Sequence, residues 1–178
     1  IVQFNATLTA AQETPATTST ATGSAIILYN VAANTVDLIV TLNNLTSTLT
    51  DFHIQEGAAG VAGPEIVHYD PAQFTRSGNT VTATILGAAY ASPGKPLSLL
   101  ENGAYLNVNT AASPNGEIRG QLIAQPKRLV AAFSVAQEQA AFPAVNLAAA
   151  NLGDFGAAVM FFNPGTKRVS LRLSVSNF

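Results

Sequence analysis

Residues 23–42, GSAIILYNVAANTVDLIVTL, decide the fold class of this chain. In the second half of this stretch, apolar side chains occupy every second position, as Val36, Leu38, Val40 and Leu42. A period of two is that of a β-strand with one buried face. Asn30 and a short turn separate this strand from an apolar strand before it, so the stretch predicts a β-hairpin.

The same pattern continues along most of the chain, in short runs bounded by turn clusters such as SGN, SPG and SPNGE. Many short strands predict an all-β fold, an antiparallel Greek-key-like sandwich or barrel. Helical turns are expected only near residues 96–101 and 144–152. The predicted strands are 2–9, 24–30, 36–42, 52–55, 65–69, 80–86, 104–110, 117–124 and 169–175.

The hairpin sequence recurs near the end of the chain. Residues 156–175, GAAVMFFNPGTKRVSLRLSV, align with residues 23–42 at a constant offset of 133 positions. Upstream, Gln12-Glu13 aligns with Gln137-Glu138 at an offset of 125, which leaves eight extra residues in the second copy. We interpret the match as a partial duplication. The alternative is that two unrelated hairpins share a pattern common to all hairpins.

Pro126 and the adjacent basic pair Lys127-Arg128 interrupt the strand pattern and predict a domain boundary. We expect a first domain of residues 1–127, followed by an incomplete C-terminal β segment, residues 128–178, with at most three strands. Three strands cannot close a sandwich, so their apolar side chains are expected to contact other protein. The predicted assembly surface comprises Val159, Phe161, Phe162, Val169, Leu171, Leu173 and Val175.

The amino-acid composition limits the kinds of partner that this chain is expected to bind. The chain has 8 Lys+Arg and 10 Asp+Glu, so only 10% of it is charged and the net charge is -2. It lacks a basic stripe for nucleic acid and an apolar run of about 20 residues for a membrane span. The first residue is Ile1 rather than Met, which we interpret as processing and export to the cell surface or beyond. Asn5 and Asn44 begin Asn-x-Thr sequons and are candidate glycan sites.

The densest motif is FHIQEGAAGVAGP at residues 52–64, followed by AYLNVNT at 104–110 and PNGEIRGQL at 114–122. Together with Phe4, Leu8, Gln12-Glu13, Pro15 and Gly23, these segments resemble the CHRD domain, named for chordin, over about residues 1–124. The resemblance implies an all-β extracellular module without a defined biochemical activity. Residues 128–178 look like a partial second β-sandwich repeat.

The chain departs from the family pattern where chemistry would be expected. The family typically has His-x-His where this chain has His53-x-Gln55, and a later His where this chain has Asn109. Alternate residues of a strand share a face, so two imidazoles there could share a metal ion, whereas neutral amides are weak ligands. We therefore predict no cofactor and no metal centre, with zinc or copper at His53 as the alternative.

Hydrogen bonds between strands are expected to satisfy His53, Gln55 and Asn109 as a polar cluster. His68 is predicted to be an outward-facing polar residue, with a second metal ligand as the alternative.

Glu117 and Arg119 occupy alternate positions of one strand and are predicted to form a charge-assisted pair, within reach of Glu13 or Glu56. Such a pair is expected to be structural rather than catalytic. The sequence contains no GxSxG elbow and no Cys, and its acids are isolated from one another. Because covalent and two-carboxylate mechanisms need those groups, we predict that the chain is not an enzyme.

Two functions follow as hypotheses. The first is an exported, non-enzymatic structural protein that self-assembles into a homo-oligomer or homopolymer such as a fibre. In this hypothesis the C-terminal segment adds its strands to a neighbouring subunit. The alternative is an extracellular binding module that recognises a protein, a glycan or a metal through the loop region His53–Pro64.

Overall fold

The structure, a computed structural model, describes residues 1–90, 103–134, 155–163 and 166–176. Its contacts divide the chain into two compact units, Ile1–Gln125 and Pro126–Phe178. The described segments are almost entirely antiparallel β-strands, which confirms the predicted fold class. The helical turns predicted near residues 96–101 and 144–152 lie outside the described residues.

The first unit contains ten strands, together with two short 3-10 turns at Ala10–Gln12 and Pro71–Gln73 in its described part. The strands are β1 (Val2–Thr9), β2 (Thr22–Asn30), β3 (Thr35–Asn43), β4 (Leu49–Glu56), β5 (Glu65–Tyr69), β6 (Thr75–Ser77), β7 (Thr80–Ala89), β8 (Ala104–Thr110), β9 (Ser113–Gln121) and β10 (Ile123–Ala124).

All ten strands belong to one curled sheet, in the order β5-β4-β8-β9-β1-β2-β3-β7-β6, with β10 also paired to β1. The link between β9 and β1 is a single residue pair, Thr9 with Arg119. Strands β5, β4, β8 and β9 therefore form one half of the sheet, and the remaining strands form the other. Both halves contribute to one apolar core, which includes Phe4, Leu8, Ile27, Leu38, Leu42, Phe52, Ile54, Leu106, Val108 and Ile118.

The predicted strands are present, with two corrections. The cluster SPNGE was predicted as a turn but begins β9, and the turn falls at Ala111 and Ala112 instead. Gly116 has a φ of 125°, and the β8–β9 register shifts between Val108 and Thr110. This irregularity lets a strand include Pro114, which has no backbone N–H to donate. Strand β6 was not predicted because its three exposed residues show no alternation.

The second unit contains a three-stranded sheet of β11 (Lys127–Ser134), β12 (Phe155–Asn163) and β13 (Arg168–Ser176), in that order. The division between the units falls between Gln125 and Pro126, two residues before the predicted boundary.

The second sheet repeats strands β1 to β3 pair by pair. A shift of 133 residues converts the β2–β3 register into that of β12–β13, so that the Ile27–Leu38 pair corresponds to Met160–Leu171. A shift of 125 residues converts β1 into β11 with the same partners. Asn34 and its counterpart Lys167 even share a left-handed backbone, with φ of 54° and 53°. Identical pairing supports duplication over two unrelated hairpins.

The register also divides the predicted assembly surface between two faces. Partners in an antiparallel pair lie on the same face of the sheet. Phe162 is paired with Val169, whereas Phe161 is paired with Ser170. The residues that share a face are therefore Phe162, Val169, Leu171 and Leu173, while Val159 and Phe161 lie on the opposite face. The predicted assembly residues are therefore divided between two faces, because neighbouring residues of a strand alternate. Val175 lies opposite Gly156 in the register.

Candidate functional site

The outer face of β4 carries the polar residues of the FHIQE motif. Phe52 and Ile54 are fully buried in the core, so Asp51, His53 and Gln55 fall on the other face of the strand. His53 is nevertheless only 4% exposed, which makes it a buried imidazole on an outward-facing position.

The pairing of β4 with β5 brings the second histidine to this face. His68 lies directly opposite His53 in the register. The register then shifts between Ile54 and Gln55, so that Gln55 is opposite Glu65 rather than Ile66. Because of this bulge, Glu65 and His68 reach the same face although they are three residues apart.

Four side chains meet there, which we call the His53 cluster: Asp51, His53, Glu65 and His68. Asp51 Oδ1 lies 3.4 Å from His53 Nδ1 and 3.1 Å from His68 Nδ1. Glu65 Oε2 lies 3.6 Å from His53 Nδ1 and 3.9 Å from His68 Nδ1. Neither ring nitrogen of His53 has a hydrogen-bond partner, and neither does Asp51 Oδ1. The geometry therefore groups two imidazoles and two carboxylates at one surface point.

The predicted polar cluster of His53, Gln55 and Asn109 is not assembled as expected. Asn107, rather than Asn109, is opposite His53 in β8, and its Nδ2 donates to Gln55 Oε1 at 3.4 Å. Asn109 Nδ2 donates instead to Pro114 O in the next strand, at 2.9 Å. These partners depend on the register between strands. The spacing of residues along one strand does not reveal that register.

The glycine-rich loop between β4 and β5 is fastened onto the strands beneath it. Gly57 N donates to Gly103 O, and Gly63 N donates to the Tyr105 hydroxyl. A side chain at Gly63 would overlap the Glu56 carbonyl, and one at Gly57 would lie 2.5 Å from Val61 O. These glycines therefore allow backbone segments to approach closely, as the loop interpretation of the motif expects.

Arg119 holds the loop from below. Its guanidinium carbon lies 3.3 Å from the centre of the Tyr105 ring, and its Nη2 donates to Ala58 O at 2.8 Å. With 2% exposure, Arg119 is a buried charge stabilised by a ring face and a carbonyl. Glu117 is not its ion-pair partner in the described structure, so the predicted pair is not formed.

Glu117 has its own set of donors and is fully buried. Its carboxylate accepts from Thr110 Oγ1 at 2.6 Å, Ser19 Oγ at 2.7 Å and Thr46 N at 2.9 Å. Burial alone would raise the pKa of Glu117, but these hydrogen bonds outweigh it and hold the pKa below the ordinary value. The carboxylate joins the segments before β2, after β3 and at the end of β8.

Glu13 is the contrasting buried acid. Its carboxylate lies over Gly116, where a side-chain carbon would come within 2.7 Å of Glu13 Oε2. Glu13 Oε1 is buried without a hydrogen-bond partner. Burial raises the pKa of Glu13 to about 7, although the charge of Arg119 opposes the shift. The PNGEIRG motif therefore contributes Gly116, over which the Glu13 carboxylate packs, and the charge of Arg119 that opposes the shift.

These features define a class: a β-sandwich module of extracellular type, with its buried charges used to close the fold. The family model of the CHRD domain matches residues 4–122, about two thirds of the sequence, and the chain belongs to this family. CHRD domains are typically extracellular. A search of curated proteins returned no match. Within the described residues, no helix has the length and apolar character needed to cross a membrane.

Sequence reasoning missed three contributors to this site. Asp51 shares a strand face with His53 and could have been found by extending the alternation back by two residues. Glu65 depends on the bulge in β5 and Asn107 on the β8 register, so neither had a signal in the sequence.

Proposed function

We propose that this CHRD protein is a non-enzymatic structural module that acts outside the cell and assembles with copies of itself through the sheet β11–β13. One observation carries the proposal: β11–β13 repeats the pairing of β1–β3, yet the face that forms the core in β1–β3 is exposed in the repeat. Val36, Leu38 and Val40 are at most 2% exposed. Their counterparts are exposed by about 60%: Val169 by 57%, Leu171 by 63% and Leu173 by 61%.

The unpaired strand edges of the second sheet also support this proposal. In the first unit, β1 is extended by β9 and β10, and β3 is extended by β7. Among the described strands of the second unit, β11 and β13 each pair with β12 alone. A strand from another copy would supply the backbone hydrogen bonds at such an edge and cover the alternating apolar side chains.

The contacts of Glu117 and Arg119 support the non-enzymatic part of the proposal. The buried charges of the motif, Glu117 and Arg119, donate to or accept from groups within the fold. A catalytic group would instead need to face a substrate.

The extracellular location rests on the family, because CHRD domains are typically extracellular. Asn5 and Asn44 are both exposed, so glycan attachment stays a prediction for these positions.

The test changes one face of β13 and leaves the other as the control. We expect the full chain to form oligomers or filaments in light scattering after gel filtration and in negative-stain microscopy. The double substitution Leu171→Lys with Leu173→Lys should leave monomers, because lysines cannot be buried against an apolar partner. Ser170→Lys with Ser174→Lys places the same charges on the opposite face and should preserve assembly. A wild-type chain that stays monomeric at every concentration would refute the proposal.

The binding module is a second candidate function, and the His53 cluster favours it. His53, a buried imidazole whose ring nitrogens form no hydrogen bond, begins the loop region His53–Pro64 at the surface of the first unit. A buried polar group without a partner costs stability, so a ligand that supplied the missing contact would be stabilised there.

A further inference from the structure

We propose that Asp51, His53 and His68 bind a divalent transition-metal ion, for which Zn²⁺ is the probe. This inference gives the binding candidate a ligand class and is independent of self-assembly, since it uses only residues of the first unit. The strand register is the starting point, because it places His68 of β5 directly opposite His53 of β4.

The distances fit a small coordination shell. Zinc binds nitrogen and carboxylate oxygen at about 2.0–2.2 Å, so ligands at the corners of a tetrahedron are about 3.3–3.6 Å apart. Asp51 Oδ1 lies 3.4 Å and 3.1 Å from the Nδ1 atoms of His53 and His68. One ligand atom from each of the three residues lies within 4.8 Å of the others. An ion can therefore enter with small side-chain rotations.

The unpartnered atoms point to a missing ligand. His53 is 4% exposed, and neither of its ring nitrogens forms a hydrogen bond. Asp51 Oδ1 is likewise buried and without a hydrogen bond. The ring nitrogen of His53 that faces Asp51 is Nδ1. In the neutral tautomer with its proton on Nε2, Nδ1 carries a lone pair, and a metal ion bound there would contact both Nδ1 and Asp51 Oδ1.

The scaffold holds these groups in place. Asp51 and His53 are two residues apart on β4, and His68 is the direct cross-strand partner of His53 on β5. Core packing of Phe52 and Tyr69, whose ring centres are 5.8 Å apart, holds the two strands together behind the cluster. Ligands on paired strands keep their spacing better than ligands on a loop.

The donor set selects the class of ion. Two imidazoles and one carboxylate suit zinc, copper and similar first-row ions, whereas calcium and magnesium prefer oxygen ligands alone. Glu65 Oε2 is also near both imidazoles, 3.6 Å and 3.9 Å from their Nδ1 atoms, so this carboxylate or a water molecule could supply a fourth ligand. Because His68 is about half exposed, the ion would be reachable from solvent.

The experiment titrates the full chain, freed of metal by a chelator, with Zn²⁺ alone in a calorimeter. We expect one Zn²⁺ per chain and a rise of the melting temperature with Zn²⁺ concentration. Co²⁺ in place of Zn²⁺ should give the intense visible absorption of a four-coordinate site. His68→Ala and Asp51→Asn should each weaken Zn²⁺ binding about tenfold or more.

Gln55→Ala is the matched control, because Gln55 lies two residues from His53 on the same face but outside the ligand set. This variant should bind Zn²⁺ as the wild type does. His68 is the preferred variant because its exposed side chain leaves the core unchanged, and its melting temperature without metal confirms folding. Absence of one-to-one binding in the full chain would overturn the proposal and leave an ion-pair cluster only. Unchanged affinity in both His68→Ala and Asp51→Asn would overturn it as well.

Self-assembly and Zn²⁺ binding can be tested independently of each other. Leu171→Lys with Leu173→Lys should keep Zn²⁺ binding, and His68→Ala should keep the oligomeric state.

Discussion

Strands β1–β3 and β11–β13 have the same pairing but different surroundings. In the first sheet, Leu38 lies opposite Ile27 and both are completely buried. In the second sheet, the corresponding Leu171 lies opposite Met160 and is 63% exposed. The alternation of apolar residues therefore determines which face of a sheet can be buried. Burial itself depends on what covers that face, which in the first unit is the half of the sheet made by β5, β4, β8 and β9.

The sharpest test of this comparison substitutes the same residue in both sheets. Leu38→Ala should lower the free energy of unfolding of the first unit by about 3 kcal/mol, because it removes a branched apolar side chain from the core and leaves a cavity. Leu171→Ala should cost less than about 0.5 kcal/mol in dilute, monomeric protein. Urea unfolding followed by tyrosine fluorescence measures the first change, and hydrogen exchange of β11–β13 measures the second.

Equal losses at the two positions would break the comparison, since Leu171 would then be covered within its own chain. At assembling concentrations Leu171→Ala should instead weaken assembly, which light scattering detects.

The second prediction concerns closure of the first unit by Glu117. Glu117→Gln should lower the unfolding free energy by about 2 kcal/mol at pH 7, because the buried hydrogen bonds lose their charged acceptor. The pKa of Glu117 is lower in the folded state, so its contribution is complete above the ordinary value of 4.5 and disappears as the pH falls through the folded pKa. The difference between wild type and variant in thermal unfolding should therefore shrink in acid.

The contribution of Glu13 to stability should change with pH in the opposite direction, so Glu13 provides the control. Its pKa rises from 4.5 to about 7 on folding, so its contribution is present below pH 4.5 and is lost as the pH rises through about 7. Glu13→Gln should stabilise the chain at pH 8 by on the order of 1 kcal/mol and change little at pH 5. A destabilised Glu13→Gln variant at pH 8 would contradict the raised pKa.

The smallest predicted effect compares the equivalent turns. Asn34 and Lys167 both have a left-handed backbone, which glycine adopts without a side-chain clash. Asn34 also accepts from the Tyr29 hydroxyl and donates to Tyr90 O, at 3.1 Å and 2.9 Å. Asn34→Gly should therefore cost about 1 kcal/mol, because it removes both hydrogen bonds. At Lys167, the relief of the left-handed backbone alone should contribute a gain of up to about 1 kcal/mol.

Thermal unfolding measures the Asn34 variant, and slower hydrogen exchange in β12 and β13 would report the Lys167 gain. The same sign at both positions would show that the two turns are not energetically distinct.

The fold was largely predictable because alternation is a local property. Val36 to Leu42 and Val169 to Leu173 show their strand period without reference to any other part of the chain. The predictions from sequence were wrong where the local residue pattern and the strand pairing in the structure disagree. Pro114 and Gly116 are typical of a turn, yet they lie in β9 because an irregular register accommodates them. Phe161 and Phe162 are both apolar, and only the register assigns them to opposite faces.

The candidate site was less predictable because its members come from different strands. Sequence reasoning singled out His53 but placed Gln55 and Asn109 beside it, following the family pattern. The structure places His68 directly opposite His53 and brings Glu65 to the same face through a register shift in β5. Likewise, Arg119 packs on Tyr105 rather than pairing with Glu117. Each of these contacts depends on which strands are neighbours.

By itself, the sequence determined an all-β chain, the CHRD motifs over most of its length, and a hairpin pattern at residues 156–175 that aligns with residues 23–42. These conclusions rest on residue period and residue order, which the chain carries locally. Only the tertiary structure decided that His53 faces His68, that Glu117 and Arg119 have separate partners, and which apolar residues share a face. Those outcomes depend on strand register, since a shift of one residue moves every side chain of a strand to the other face.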